Sequence, residues 1–365
     1  MKNTTLSENA PNGPALPPGG SAREGAIAPM ARLGGAAVLF VIALLGLSVV
    51  GGEWTAGRLL EAWRGGSGDP ASAERTIELW TQLRLQRLLF AAAIGGVLSL
   101  AGVAFQAVLR NPLAEPYILG VSGGASVGVL SAPWWWAVGA GAMVPALAGG
   151  LAALGLLLGA ARWARVRDSA SLILTGAVLN AIFAAWILLL YTLLSGPQAG
   201  GSRVEVGLAW AMGNLGPERY RVLGVLPELW LVLGVGAVTL LLLARPLDLL
   251  ALGEEEAADL GIEPRSHRWL ILIVGSLITA VAVAAAGPIG FVGLIVPHAV
   301  RRLVGVSHRR VIPWSIFGGA LFLMLADTFA RSLLPGRPLP VGVVTAMLGG
   351  PFFILLLRRR GEGDA

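Results

Sequence analysis

The sequence RNPLAEPYILGVSGGA, residues 110–125, decides the fold of this chain. It lies between two long apolar segments, so it is predicted to form a turn at a membrane surface. Pro112 and Pro116 end the preceding helix and stiffen the turn, because proline lacks a backbone N–H and has a fixed φ. The small residues from Gly120 onward open the next helix with almost no side chain, which lets neighbouring membrane helices approach closely.

The composition of the whole chain indicates a helical membrane protein. Of its 365 residues, 55% are hydrophobic and 13% are charged, and the mean hydropathy is +0.74. A soluble domain of this size would not combine so many apolar residues with so few charges. The apolar runs recur at a length of about 20 residues, which matches the hydrocarbon core of a bilayer.

Several function classes are excluded at this stage. The chain has no cysteine, so disulfides and thiolate metal sites are absent from it, and its three scattered histidines predict no metal cluster and no cofactor. The net charge of +6 does not indicate nucleic acid as a partner, because the arginines mark the ends of apolar runs. No phosphate-binding loop or catalytic constellation is visible, so the chain is not expected to be an enzyme.

Composition divides the chain into three parts. Residues 1–30 are rich in Pro, Gly, Ser and Asn and are predicted to form a disordered cytoplasmic tail. Residues 31–360 are predicted to form an all-α, polytopic transmembrane domain of about ten helices, and residues 361–365 a second cytoplasmic tail. The predicted spans are 33–50, 86–108, 117–133, 137–160, 171–193, 222–243, 269–286, 289–304, 312–331 and 341–357.

The distribution of arginine orients these helices. With the N-terminus in the cytoplasm, the cytoplasmic segments carry most of the 27 basic residues, as the positive-inside rule requires. An even number of helices then places both termini in the cytoplasm. The spans 86–108 and 269–286 run in opposite directions, so two groups of four helices are candidates for an inverted repeat. The similarity between the halves is too weak to establish that repeat from sequence.

The long cytoplasmic loop, residues 244–268, is predicted to form two short helices separated at Gly253. Glu254–Glu256 suit the N-terminus of the second helix, where the helix dipole favours acidic side chains. Gly261 suits the end of that helix, because glycine readily adopts the left-handed conformation of a C-terminal stop.

Leucines in this loop indicate a docking surface. Leu249, Leu250 and Leu252 have no membrane to enter, so a cytosolic protein is expected to cover them. The alternative is an amphipathic loop that lies on the lipid surface. The acidic residues disfavour that alternative, because anionic lipids would repel them.

Four motifs in order along the chain resemble a known family. They are the segment 110–125, RPLDLLALGE at 245–254, GPIGFVGLIVPH at 287–298 and LPVGVVTAMLGGPFF at 339–353. From about residue 33 to residue 360 the chain resembles the permease subunits of ATP-binding cassette (ABC) importers for iron chelates, haem and vitamin B12, the FecCD type.

The resemblance implies a type II ABC importer permease fold and alternating access driven by two separate cytosolic ATPase subunits. It also implies an extracytoplasmic solute-binding protein, a second permease copy in a homodimer, and a place in the cytoplasmic (inner) membrane of a bacterium or archaeon. The substrate would be an iron chelate, such as a siderophore complex or haem, or cobalamin. Its path would run along the dimer axis, lined by 171–193 and 341–357. The alternative is a secondary transporter driven by an ion gradient, which needs ionisable residues within its spans.

The resemblance also assigns residues to the two docking surfaces. The ATPase subunits would grip the loop through Leu247, Leu249, Leu250, Leu252, Gly253 and Glu254. The segment RLQR at 84–87 resembles an Arg-Leu-Pro-Arg motif at the outer end of the second helix. Arg84, Arg87 and Arg331 would pair with acidic residues of the binding protein. The alternative for Arg84 and Arg87 is that they lie at the membrane interface with their charges in water.

Four further residues have predicted roles. In the resemblance, Ser169 and Ala170 form a cytoplasmic gate, whereas the alternative for Ser169 is a helix N-cap. Asn180 either faces the pore or bonds a neighbouring helix. A charge at the centre of a membrane helix costs about 2.5–3.5 kcal/mol on insertion scales, so Asp327 needs a partner. Arg331, one turn later, is the expected partner, and a proton relay is the alternative role for Asp327.

Overall fold

Within the residues that the computed structural model describes there are eleven α-helices and no strand, together with a π-helix at Trp80–Leu85, a 3₁₀-helix at Ala132–Trp134 and connecting loops. The described residues are 80–134, 143–164, 169–194, 210–216, 225–334 and 339–361. The predicted tail at 1–30 and the first predicted span at 33–50 lie outside them. The helices are α1 Gln86–Val108, α2 Val121–Ser131, α3 Met143–Trp163, α4 Ser169–Leu194, α5 Leu226–Leu242, α6 Ala244–Leu252, α7 Glu254–Asp259, α8 Pro264–Ala286, α9 Val292–Val304, α10 His308–Leu333 and α11 Val341–Gly361.

Every predicted span within the described residues coincides with a helix, but some of these helices are too short to cross a bilayer. Five helices are long and apolar enough, and the bent pair α5–α6 would make a sixth. The predicted span 117–133 is corrected, because α2 begins only at Val121 and has 11 residues. It rises about 17 Å, roughly half of the hydrocarbon core. Gly120, in the left-handed conformation with φ 88°, is the reason that α2 starts late.

Helix α1 lies at the centre of the bundle, and nearly all of its side chains are buried. It packs against α5, α8, α9 and α10. Glycines permit the closest of these contacts: a Cβ at Gly95 would overlap with the carbonyl oxygen of Gly319, and a Cβ at Gly102 with that of Gly293. Such small residues let membrane helices gain packing energy where lipid provides no hydrophobic driving force.

The pattern of one long helix, one short helix and two long helices in α1–α4 recurs in α8–α11. The first group has 23, 11, 21 and 26 residues, and the second has 23, 13, 26 and 21. Each short helix follows a residue in the left-handed conformation, Gly120 before α2 and Phe291 before α9. This recurrence is what an internal repeat of four helices requires, and the inversion of that repeat stays a prediction.

Two short helices follow α5 and form the region that we call the elbow, α6 and α7 together. Helix α6 bends away from α5 by 58°, and Gly253 separates it from α7. The predicted break at Gly253 is confirmed. Gly261, with φ 86°, follows the end of α7, so the predicted stop is also confirmed.

Candidate functional site

A cleft opens between the elbow and the ends of α1, α3, α4 and α8, at the end of the bundle that we call the Arg110 end. Its cavity has a volume of about 900 Å³. Apolar and charged side chains line it together. The charged ones are Arg110, Arg162, Arg265, Arg268, Glu254, Glu255 and Glu256. A surface with both signs of charge can select the orientation of a charged partner, because complementary charges steer the encounter.

One face of the elbow is packed into the bundle. Leu247 and Ala257 are fully buried, and Leu250 is 3% exposed. The reason is that α6 packs against α1, α8 and α10. The expectation that Leu250 has no cover within the chain is therefore wrong. In this conformation neither Leu247 nor Leu250 presents its side chain to a partner.

The other face of the elbow is exposed. Leu252 is 63% exposed and Leu260 is 53% exposed, while Leu249 is half-buried. Glu254, with a side chain that is 54% exposed, forms an ion pair of 2.6 Å with Arg268. Exposed ion pairs add little stability. The exposed leucines and acids therefore form a surface that the fold of the chain itself does not need.

A buried glutamine supplies the hydrogen-bond donor that a proline removes from α9. Pro297 lies inside α9 and has no N–H for the carbonyl of Gly293, four residues earlier. The side-chain amide of Gln106, on α1, donates to that carbonyl at 2.9 Å and to the carbonyl of Leu294 at 3.2 Å. The Gln106 carbonyl oxygen in turn accepts a hydrogen bond from the guanidinium of Arg301. Sequence reasoning missed Gln106, although a proline within a membrane helix signals that a neighbour must supply a donor.

A buried carboxylate caps the same helix. Glu115 is 1% exposed, and its Oε1 accepts the backbone N–H of Phe291 at 3.1 Å. No capping side chain is present at Phe291 itself, so Glu115 serves the N-terminal donors of α9 from the 110–125 segment. Burial raises the pKa of Glu115 to about 7, although the backbone donors of Phe291 and Leu294 favour the charged form. Two of the four sequence motifs therefore meet at this carboxylate.

Asn180 on α4 also contacts the 110–125 segment. Its side-chain amide donates to the backbone carbonyl of Tyr117, and a Cβ at Gly123 would lie 2.9 Å from its Oδ1. Asn180 therefore bonds a neighbouring segment, and its predicted place facing the pore stays a prediction. Ser169 begins α4, and the side chains of Ser169 and Ala170 lie outside the described part of the structure.

Four charged residues meet at the opposite end of the bundle, which we call the Arg87 end. Arg87 binds Asp327 through two hydrogen bonds, from Nε at 2.8 Å and from Nη2 at 2.7 Å. Arg84 and Arg331 line the same small cavity. Asp327 is 2% exposed and Arg84 is 5% exposed. The expected partner of Asp327 was Arg331; its bidentate partner is Arg87.

Exposed apolar side chains lie on several helices, and α4, α5 and α11 are among those that carry them. On α4 the exposed side chains recur every three or four residues and include Leu174, Val178, Ile182, Trp186, Leu189 and Leu193. On α11 they are Met347, Leu348, Ile354 and Leu355. Faces of this kind contact lipid or another membrane helix.

The described residues contain no group of three His, Asp or Glu side chains that could hold a metal ion. His298 on α9 packs edge-on against Phe352 of α11, with 6.1 Å between the ring centroids. This contact links the third and fourth sequence motifs.

Long apolar helices, a short helix with a buried carboxylate at its N-terminus, and an exposed elbow at one end define the class of this protein as a membrane transport permease. The chain belongs to the FecCD transport family, whose family model matches residues 38–359. It is thus an integral membrane protein and a permease subunit of the ABC importer class, in which a separate subunit hydrolyses ATP.

Relatives of known name agree with this assignment. The hemin transport system permease protein HmuU of Yersinia pestis is 36% identical over 348 residues, which cover 93% of this chain and 98% of HmuU. The cobalamin import system permease protein BtuC of Halobacterium salinarum is 39% identical over 280 residues, 76% of this chain and 73% of BtuC. A solved inward-facing structure of a metal-chelate type ABC transporter superimposes with a TM-score of 0.71 at 29% identity, covering 89% of this chain and 98% of that one. The predicted importer-permease fold is confirmed, and nothing supports the secondary-transporter alternative.

Proposed function

We propose that this permease imports an iron chelate, such as a ferric siderophore or haem, or cobalamin, across the cytoplasmic membrane of a bacterium or archaeon. The elbow, which is buried on one side and exposes leucines and acids on the other, carries the ATPase-driven part of the proposal. The named haem and cobalamin permeases among the relatives support the substrate class. In this proposal residues 31–360 are the permease domain, and 1–30 and 361–365 are cytoplasmic tails.

The elbow is the proposed docking surface for one ATPase subunit, so the two elbows of a homodimer take two. Leu252 and Glu254 contact the ATPase directly, while Leu247 and Leu250 anchor α6 to the bundle so that a push on the elbow moves other helices. Gly253 lets the two short helices meet at an angle. The Arg110 end then faces the cytoplasm, in agreement with the excess of arginine on that side.

The charge cluster at the Arg87 end is the proposed docking surface for a solute-binding protein. Arg84, Arg87 and Arg331 surround one carboxylate, that of Asp327, so the described cluster has an excess of positive charge. Because Arg84 is buried, its main contribution is to the net positive field of the cluster, which steers acidic residues of the binding protein. Arg331, which is half-buried, is the arginine best placed for direct contact.

A second copy of the permease is proposed to cover the apolar faces of α4 and α11. These two helices then line the substrate path at the axis of a homodimer, with Ser169 and Ala170 at its cytoplasmic gate. The chain lacks cysteine, so a single Val178→Cys substitution tests the contact by cross-linking. A covalent dimer is expected, and a Leu156→Cys variant on the exposed face of α3 serves as the control.

The substrate class is tested with the permease, its ATPase and its binding protein in proteoliposomes. The binding protein is added in three separate experiments, loaded with a ferric siderophore, with haem or with cobalamin. One class is expected to stimulate ATP hydrolysis and to accumulate inside. Failure of all three to do so would reject the proposed substrates. An Arg331→Glu variant should weaken binding-protein docking at low salt, whereas Arg310→Glu at the Arg110 end should not.

A further inference from the structure

We propose that Asp248 and His308 form the joint through which the elbow moves α10 during transport, an inference that rests on the proposed docking of the ATPase at the elbow. Asp248 lies in α6, and His308 is the first residue of α10. The Oδ1 atom of Asp248 accepts the backbone N–H of His308 at 2.8 Å and lies 2.6 Å from Nδ1 of the imidazole. The two residues are 60 positions apart in sequence.

The contact supplies what the N-terminus of α10 lacks. Ser307, the residue before α10, makes no side-chain capping bond. The first N–H groups of a helix have no intrahelical acceptor, and the helix dipole favours a negative charge beside them. Asp248 provides that acceptor and that charge from another helix. An imidazole with its proton on Nδ1 adds a second hydrogen bond to the same oxygen.

The burial of the two side chains shows which partner is fixed. The side chain of His308 is 3% exposed, whereas that of Asp248 is 39% exposed. On α6, Asp248 lies between the buried leucines Leu247 and Leu250. The carboxylate therefore moves with the elbow, while the imidazole is held within the bundle.

Helix α10 can carry the movement across the protein. It has 26 residues, so it extends about 39 Å from the joint. Near its other end lies Asp327, bound to Arg87 on α1. A displacement of the elbow at the Arg110 end is thereby passed to the charge cluster at the Arg87 end. The physical basis is one continuous helix, with Pro313 five residues after the joint, that is fixed near both ends by charge-assisted hydrogen bonds.

The first test measures substrate imported per ATP hydrolysed by the complete transporter. Asp248→Ala should leave ATP hydrolysis near the wild-type rate and lower the import ratio at least about tenfold, the factor expected when a hydrogen bond to a charged group is lost. Glu263→Ala removes an exposed acid between the elbow and α8 and should keep the wild-type ratio. His308→Ala should lower the ratio in the same direction, and the double variant should fall no further than the worse single variant.

The results of the first test distinguish a role of the Asp248–His308 contact in transmitting movement from a role in stabilising the fold alone. Loss of assembly, hydrolysis and import in parallel would indicate structure alone and overturn the proposal. If Asp248→Ala fails to assemble, His308→Ala decides, because it removes only the side-chain half of the contact. A wild-type import ratio in an assembled His308→Ala or Asp248→Ala transporter overturns the joint. Absence of ATP-driven import by the wild type would instead reject the proposed function.

A second test uses the permease alone. Because the native chain has no cysteine, spin labels can be attached at Glu255→Cys on the elbow and Leu325→Cys on α10. The joint predicts a narrow distance distribution in the wild-type background, a broader one with Asp248→Ala, and no change with Asp259→Ala. An unchanged distribution with Asp248→Ala overturns the proposal, whatever the transport assay shows.

Discussion

The guanidinium of Arg87 holds the carboxylate of Asp327 through hydrogen bonds of 2.8 Å and 2.7 Å, across 240 residues of sequence. The contact joins the beginning of α1 to the last turns of α10. Both side chains are largely withdrawn from solvent, at 13% and 3% exposure. A bidentate pair of this kind fixes the relative position of two helices as well as their separation.

Removal of one partner of this pair should be strongly destabilising. Asp327→Ala leaves the Arg87 charge buried without its bidentate partner, beside two other arginines, and is expected to cost about 3–5 kcal/mol. The double variant Asp327→Ala/Arg87→Met should recover much of that loss. Thermal unfolding in detergent measures both, with Glu255→Ala as the exposed control. A wild-type melting temperature for Asp327→Ala would contradict the importance of the pair.

The hydrogen bond from Gln106 to α9 predicts that the effects of substituting Gln106 and Pro297 depend on each other. Gln106→Leu leaves the Gly293 carbonyl without a donor and should destabilise the protein by about 1–3 kcal/mol. In that background Pro297→Ala restores an intrahelical N–H for the same carbonyl, so it should raise the melting temperature. In the wild-type background Pro297→Ala should bring a smaller gain or a loss. Equal effects of Pro297→Ala in both backgrounds would show that Gln106 does not serve this carbonyl.

Glu115 predicts a particular pH dependence of stability. Its pKa rises from 4.5 to about 7 on folding. Between these values the unfolded chain has lost the proton that the folded protein keeps, so this carboxyl makes stability fall as pH rises. Below the lower value and above the upper value its contribution is level. Glu115→Gln removes the titration, so its melting temperature relative to wild type should rise across this window.

The control for that measurement is Glu255→Gln, which removes an exposed acid from the elbow. Its difference from wild type should be flat across the same window. A flat difference for Glu115→Gln as well would show that burial does not raise the pKa of Glu115.

The exposed face of the elbow predicts a selective effect on ATPase binding. Leu252→Asp should leave the permease folded and lower its affinity for the ATPase at least about tenfold, since the buried centre of an interface tolerates charge poorly. Leu250→Asp should lower the melting temperature instead, because that side chain is buried within the chain. Leu334→Asp, at the Arg87 end, should do neither. The assay is co-purification at graded ATPase concentration, and equal binding by Leu252→Asp and wild type would remove Leu252 from the interface.

Local features of the fold could be predicted from the sequence, because single residues determine them. The stop at Gly261 follows from the backbone freedom of glycine. The break at Gly253 follows from the low helix propensity of glycine. The long spans follow from hydropathy alone. Exposure within the elbow was predicted less well, since whether Leu250 or Leu252 faces the bundle depends on the bend after α5.

The long-range contacts could not be predicted from the sequence. Arg331 was chosen as the partner of Asp327 because it lies one helical turn away, whereas Arg87 reaches Asp327 only after the chain has folded. Glu115 gave one signal that could have been used: it is a single carboxylate in an apolar turn, and such a group needs donors if it is buried. Pro297 gave the matching signal for Gln106.

The most direct test of the proposed transport is import of the loaded substrate into proteoliposomes that contain the permease, its ATPase and its binding protein. With the ATPase on the inner face, ATP inside the liposomes should drive accumulation of the substrate. Accumulation should stop when a non-hydrolysable analogue replaces ATP. A proton gradient without ATP should drive none. Accumulation that follows the proton gradient and ignores ATP would contradict the proposed mechanism.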